Sequence, residues 1–471
     1  MESIVFVHPP LSLEKRYGTL AQAGYTEPPF GLCYLAAVTR HHGFNTSIID
    51  SQALNLDVKE TVDLIISQKP DYIGITATTQ IIKSASVIAK EVKRIAPRIS
   101  IIIGGCHVTA VPEETLNDNL CFDIGVIGEG EKTFIELLYA LEKGADLCRV
   151  EGLVIRKNGS VVLTEKRPFI KDLDTLPFPA FDLLPELGKY YRISTQSVDR
   201  LPALSLITSR GCTGKCTFCD TAVHGSSPRE HSAEYVMDLM RELNKKYGAK
   251  TIFFDDDNFL IFKPRLRRLV ELLRKEKLDL TWSCMARVDM VDVDTLKIAK
   301  EGGCFQIQYG IESGKQEILD FYNKRIRLEQ TEHAVKLAKD VGLRTKGFII
   351  FGNPLETKET LETTINFVKH LDLDDVSISF FTPYPGSKIY SDVERYGYFE
   401  RDYEKMSCFE IVYVPHGLTK EELKYYSRKA YREFYFRPKV LLSYLRRIRS
   451  LSQMKELLGS GKALLKYCIM S

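Results

Sequence analysis

The chain has 471 residues, 44% hydrophobic and 27% charged, with a net charge of only +3. That length predicts two domains with appendages, and the near-neutral balance excludes any global pull toward nucleic acid. Eleven cysteines without framework spacing exclude a disulfide-stapled scaffold and fit a reducing cytoplasm.

Met1-Glu-Ser-Ile-Val-Phe-Val-His-Pro-Pro reads as a short buried strand and a turn, not as a leader. No uncharged apolar run reaches membrane-spanning length, so the expectation is a soluble protein, at most attached to a membrane surface. From Ile4 to about Leu141 short apolar runs alternate with helical patterns, the signature of a parallel sheet with crossover helices. Strands are expected at Ile4–Val7, Thr46–Ile49, Tyr72–Ile75, Ile99–Ile103 and Asp123–Ile127. Helices are expected near Leu32–His42, Val58–Gln68, Ile82–Ala96 and Glu131–Lys143. Open α/β sheets bind ligands at the C-terminal strand ends. Those ends are His8-Pro9-Pro10, Thr76-Ala77-Thr78-Thr79, Gly104-Gly105-Cys106-His107 and Gly128-Glu129-Gly130-Glu131. Val150–Leu163 reads as a hairpin around Lys157-Asn-Gly-Ser, and Leu176-Pro-Phe-Pro-Ala-Phe as a packed connector. A second series of strands is expected at Leu204–Thr208, Thr251–Phe254, Thr281–Cys284, Gln306–Tyr309, Gly347–Phe351 and Val376–Phe380, each followed by a helix. Six such units predict a partial barrel, open on one side, with its chemistry at the C-terminal strand ends. The expected division is an α/β domain over 1–145, a hairpin and connector over 146–200, the partial barrel over 201–400 and a mainly helical extension over 401–471.

The strongest chemical signal follows the first barrel strand: Ser209-Arg-Gly-Cys212-Thr-Gly-Lys-Cys216-Thr-Phe-Cys219-Asp. Three thiolates spaced C-x3-C-x2-C can hold three corners of a [4Fe–4S] cubane, leaving the fourth iron free of protein. A zinc site is the alternative, but zinc usually takes four ligands in paired C-x2-C units; only His224 lies near enough to complete one.

This loop resembles that of the radical S-adenosylmethionine superfamily, and the resemblance spans about Leu204 to Tyr390. It implies that Cys212, Cys216 and Cys219 hold the cluster, whose open iron chelates the methionine end of S-adenosylmethionine. An electron then splits the sulfonium to give a 5′-deoxyadenosyl radical. It implies further that Phe218 packs beside adenine, and that the segment Phe253-Phe-Asp255-Asp256-Asp-Asn holds the methionine amino group. Arg287 would meet the carboxylate. In Tyr309-Gly-Ile-Glu312-Ser313 the carboxylate would hold the ribose, and the segment ending at Gly352 would contact adenine.

An α/β module ahead of such a barrel resembles the cobalamin-binding class of this superfamily. The matching features are Pro28-Pro-Phe-Gly-Leu-Cys-Tyr-Leu-Ala-Ala, Gly104-Gly-Cys-His and Gly128-Glu-Gly-Glu. The fold class expected is therefore a flavodoxin-like, Rossmann-like cobalamin domain, a partial (β/α)6 barrel and a helical tail. Thr76, Thr78, Gly104, Gly105, His107, Gly128, Glu129 and Glu131 become candidate corrin or nucleotide-tail contacts. The Asp-x-His-x-x-Gly loop of other cobalamin proteins is absent, which implies cobalamin without a lower histidine. His107 is left as either a ligand or a hydrogen-bonded structural imidazole, and a ligand-free nucleotide-type fold stays open. A methylthiotransferase would need a second cluster on N-terminal strand ends, whereas Cys33, Cys106, Cys121 and Cys148 are scattered.

From Tyr425 to Tyr467 the chain is basic and aromatic, with only Glu433 and Glu456 acidic. This tail either lies on an anionic membrane surface or covers the open side of the barrel. Cys468-Ile-Met-Ser471 fits a C-a-a-X box, read here as coincidence. The expected activity is methylation of an unactivated carbon of a small-molecule or lipid-like substrate, with electrons from a donor such as flavodoxin or ferredoxin. The alternatives are a radical cyclisation of the anaerobic magnesium-protoporphyrin ester cyclase type and a cobalamin- or redox-sensing regulator.

Overall fold

The computed structural model describes residues 2–448 and 450–469. Its first sheet contains β1 (Ser3–His8), β2 (Asn45–Asp50), β3 (Tyr72–Thr76), β4 (Ser100–Gly104), β5 (Ile124–Val126), β6 (Leu153–Lys157) and β7 (Ser160–Leu163). The order is β2-β1-β3-β4-β5-β6-β7, with the first five strands parallel. The hairpin β6–β7 extends this sheet antiparallel to β5. Runs such as Ile101-Ile-Ile are buried on both faces, and each such side chain contributes about 1.5–3 kcal/mol. Helices Phe30–His41 and Gly130–Glu142 cover one face, and Val58–Ser67 and Ile82–Ile95 the other. Strand order reverses between β1 and β3, the switch point at which such sheets open a ligand crevice.

The second sheet has six parallel strands in sequence order: Ala203–Leu206, Thr251–Phe254, Thr281–Ala286, Cys304–Glu312, Arg344–Phe351 and Asp375–Phe380. First and last strands do not pair, so the barrel is open. The first strand is shorter than expected. The Thr208 N–H leaves the ladder for the Asp256 carboxylate at 2.9 Å, and Ser209–Arg210 pairs instead with Arg229–Glu230. The fourth strand runs longer, through a register shift between Gly310 and Glu312.

The outer edge of the sixth strand is closed by side chains from the tail. On helix Lys420–Tyr435 the Tyr435 hydroxyl accepts from Val376 N at 3.2 Å and lies 2.9 Å from Val376 O. Four residues earlier, Tyr431 does the same at Ile378. Four helical residues rise about 6 Å and two strand residues about 7 Å, so the two hydroxyls match edge amides two residues apart. An exposed edge that would template aggregation is thereby removed. Helices Pro438–Arg447 and Leu451–Ile469 follow, and no described helix is long and apolar enough to cross a membrane. Cys468 is buried, while Met470 and Ser471 of the C-a-a-X match lie outside the described residues.

Candidate functional site

The cysteine loop leaves the first barrel strand and is held at several points. Thr217 N donates to Tyr322 O at 2.9 Å, Asn323 Nδ2 to Lys215 O at 2.8 Å, and Ile389 N to Thr217 O at 3.1 Å. Gly214 curls over the thiols. A Cβ there would sit 3.3 Å from Cys212 Sγ, 3.7 Å from Cys216 Sγ and 3.5 Å from an Arg287 guanidinium nitrogen, so only glycine leaves this cradle clear. Cys219 donates to Cys216, which draws Cys216 down to about 6; Lys324 and Arg287 add to the shift, and Cys219 as donor is pushed up. Burial raises Cys212. His224, the histidine within reach of a zinc reading, is 3.7 Å from Glu129 and belongs to the domain interface. Among the described residues no three His, Cys, Asp or Glu side chains could hold a metal ion. A cubane differs in that it spreads its thiolates over three irons.

Two buried cations stand beside this loop. Arg287 is gripped by both Asp289 oxygens at 3.0 Å and donates to Lys324 O at 2.8 Å. Lys324 Nζ meets Glu312 Oε1 at 2.5 Å, both side chains under 10% exposed. Glu312 adopts φ 66° at the register shift of the fourth strand, a left-handed conformation that re-aims its carboxylate. Gly310 makes room for the pair, since a Cβ there would lie 2.5 Å from Glu312 Oε1 and 2.8 Å from Lys324 Nζ. Lys324 went unnoticed in the sequence because it sits in a turn, Asn323-Lys-Arg, without a motif. Its only signal is that both flanking residues have positive φ.

The three aspartates divide their work. Asp256 is fully buried and accepts from Thr208 and Ser209, so it ties the first strand to the second and does not face the cysteines. Asp257 acts electrostatically on Cys212. Asp255 is pushed well up by burial, with Glu27 adding like charge. Ser313 is committed to Thr364 Oγ1 at 3.2 Å, Gly352 turns the chain at φ 87°, and Phe218 stacks edge-on to Tyr322 at 4.6 Å.

At the strand ends of the first sheet lies a cavity of about 190 Å³. Thr76, Gly104, Gly105 and Gly128 line it from the sheet, and Ile207, Arg210 and His224 from the barrel. Glu129 and Glu131 reach its wall, but their carboxylates are taken by Arg210 at 2.9 and 2.5 Å, and Arg229 also holds Glu129. They therefore serve the domain contact. Two candidates depart from expectation. Thr78 is exposed and outside the cavity. His107 does not line it either; its Nδ1 lies 3.2 Å from Thr79 Oγ1 and its ring packs on Tyr403, while burial lowers it to about 4. Of its two readings the geometry supports the structural one.

A model of the B12 binding domain matches residues 18–138, and one of the Radical SAM superfamily matches residues 206–368. The chain is 38% identical over 421 residues to an uncharacterized methyltransferase, PH0819, of Pyrococcus horikoshii, covering 89% of this chain and 90% of that protein. The chain belongs to the radical S-adenosylmethionine superfamily, in its B12-binding class. An anaerobic magnesium-protoporphyrin IX monomethyl ester cyclase of Rubrivivax gelatinosus is 28% identical, over 98% of this chain and 82% of its own length. The fold is similar to that of the cobalamin-dependent radical enzyme OxsB with aqua-cobalamin and S-adenosylmethionine bound. The TM-score is 0.75 at 18% identity, covering 99% of this chain and 72% of that one.

As a radical S-adenosylmethionine enzyme of this class, the protein takes a [4Fe–4S] cluster, S-adenosylmethionine and cobalamin, and its own residues fit them. The Gly214 cradle and two adjacent cations suit an anionic cluster. The glycine-lined cavity admits backbone-close contact with an inserted cofactor tail. Gly104 is the clean probe of that cavity: a Cβ there makes only ordinary contacts, 3.7 Å to Val126 O. Gly104→Leu should weaken cobalamin retention by about tenfold or more, since the branched chain must occupy the ligand's space. Bound iron should be unchanged, which ultraviolet–visible titration and iron analysis of the same samples will show. Gly105 is less informative, because a Cβ at its φ of 102° would strike Ala77 O at 2.6 Å and disturb the sheet itself.

Proposed function

We propose that this cobalamin-dependent radical enzyme methylates an unactivated carbon of a small-molecule or lipid-like substrate. The observation that carries the reading is the shared wall of the first cavity. Residues next to the cysteine loop, Ile207 and Arg210, line the same space as Gly104 and Gly128, so both cofactor sites open onto one domain boundary. When loaded, the cofactors supply one-electron cleavage of a sulfonium and a transferable methyl group. Everything else falls to the chain. Arg287 and Lys324 offset the negative charge of the three thiolates. Glu312 would accept from ribose hydroxyls through the oxygen that Lys324 leaves free and hold the reacting end in position. Asp257 and Arg287, which both act on Cys212, would meet the amino and carboxylate groups of methionine. Helix Cys106–Ala110 closes the boundary from the other domain: a Cβ at Gly386 would touch both Ala110 and Asp220, the neighbour of Cys219. Such closure excludes the water that would quench a radical. Electrons would come from a donor such as flavodoxin or ferredoxin.

The similarity to an ester cyclase over nearly the whole chain favours one second reading, an oxidative cyclisation without methyl transfer. Product analysis separates the two. Methyl transfer should yield S-adenosylhomocysteine and 5′-deoxyadenosine together, whereas 5′-deoxyadenosine alone under turnover would overturn the methyltransferase reading.

A further inference from the structure

A second, larger cavity of about 650 Å³ lies inside the barrel and between the tail helices. Its floor is unusual for a barrel. Closed (β/α) barrels fill their interior with branched aliphatic side chains. Here Met285, Gln308, Lys346 and Asp375 are register partners on successive strands, and polar residues dominate the row. Two residues further along the same strands stand Arg287, Gly310 and Phe348, roughly 7 Å nearer the cysteine loop. The cavity thus begins one layer beneath the level of Arg287 and Gly310, and Phe348 and Asp255 are among its lining residues.

Lys346 is 4% exposed, and among the described residues it makes no ion pair and no hydrogen bond. Its ammonium lies over the Phe348 ring, 4.9 Å from the centroid. Asp375, the one charge acting on it, is already neutralised: Arg447 donates to it at 2.8 Å and Tyr444 and Gln306 also bond to it. Burial lowers Lys346 to about 8, which leaves it cationic at neutral pH. The cavity's carboxyls, Glu27 and Asp255, are both raised by burial, Asp255 further by the like charge of Glu27, and Arg16 opposes the rise in both. A buried ammonium without a partner is costly unless a ligand supplies one. Ser194, Gln196, Ser377 and Ser379 add neutral polar groups to the inner wall, and the outer wall is mainly apolar. Tyr444, Leu441, Leu445, Leu458 and Leu465 come from the tail helices, and Leu445 and Leu458 are 66% and 57% exposed. The chamber therefore reaches the surface between these helices through an apolar mouth.

We propose that Lys346 binds the anionic head, carboxylate or phosphate, of an amphipathic substrate whose apolar chain runs out between the tail helices. The proposal rests on the methyltransferase reading and names its substrate class; it places the reacting carbon near the anionic end.

Equilibrium dialysis of the reconstituted holoenzyme against radiolabelled dodecanoate, dodecyl phosphate, dodecan-1-ol and dodecyltrimethylammonium tests it. The anions should bind saturably, and about tenfold or more tighter than the alcohol, as expected for a hydrogen bond to a charged group. The tighter of the two anions identifies the head group, and the cation should bind weakest. Lys346→Met should abolish the preference for anion over alcohol, and Lys346→Arg should keep it. Equal binding of anion and alcohol by the wild type, no saturable binding, or a preference that survives Lys346→Met would overturn the proposal. The head-group series on the wild type stands even where Lys346→Met does not fold. Iron content and uncoupled 5′-deoxyadenosine formation, read on the same samples, test the underlying function separately. A protein that cleaves S-adenosylmethionine but ignores head-group charge defeats only the proposal.

Discussion

Replacement of Cys212, Cys216 and Cys219 together by Ala should remove all cluster iron and reduce S-adenosylmethionine cleavage to background. Anaerobically reconstituted wild type should hold about four irons per chain. The effect is total because the donors are not redundant. His224, five residues past Cys219, is turned to Glu129, and among the described residues no other group of three ligands stands ready. Cobalamin retention should persist in the triple variant, since the cavity that would receive it is walled mainly by residues of the other domain, Gly104, Gly105 and Gly128 among them. Iron and sulfide analysis, Mössbauer spectra and chromatographic assay of 5′-deoxyadenosine provide the check. A wild-type protein that fills with zinc, with a triple variant that still cleaves, would refute the cluster assignment.

Glu312→Gln should cause the second-largest change, on two observables at once. The substitution keeps the shape and removes the charge, so the φ of 66° at this position is no more strained than before. It leaves the Lys324 ammonium, 9% exposed, without its counter-ion. Breaking a buried pair on one side costs about 3–5 kcal/mol, so the denaturation midpoint should fall clearly. Affinity for S-adenosylmethionine should fall as well if Glu312 holds the ribose, while cobalamin affinity stays. The double variant Glu312→Gln/Lys324→Met separates these effects, because removing both charges should recover much of the stability and none of the S-adenosylmethionine affinity. Wild-type affinity in Glu312→Gln would end its assignment to the ribose. A double variant no more stable than the single one would show that the lone ammonium is not the source of the loss.

The cluster loop and both sheets were legible in the amino-acid sequence because each rests on short-range pattern, whereas S-adenosylmethionine and cobalamin followed from the family resemblance. Three thiolates within eight residues chelate on one loop whatever the rest of the chain does, and Val- and Ile-rich runs that end in glycine mark parallel strands and their ligand ends. The tail's partner was open, since a basic aromatic helix suits a membrane or a barrel edge equally. Packing shows the barrel-edge contact at Tyr431 and Tyr435, whose spacing meets two amides of the sixth strand. His107 was ambiguous for the same reason, as an imidazole after a strand reads alike whether it turns to a cavity or to Thr79. The charged network lay wholly beyond reach of sequence. Arg210 meets Glu129 and Glu131 across 81 and 79 residues, Lys324 meets Glu312 only because the fourth strand shifts register, and Lys346 is notable for the partner it lacks. Chelation by a loop is local, but the worth of a buried charge depends on everything that surrounds it, and only the tertiary structure assembles those surroundings.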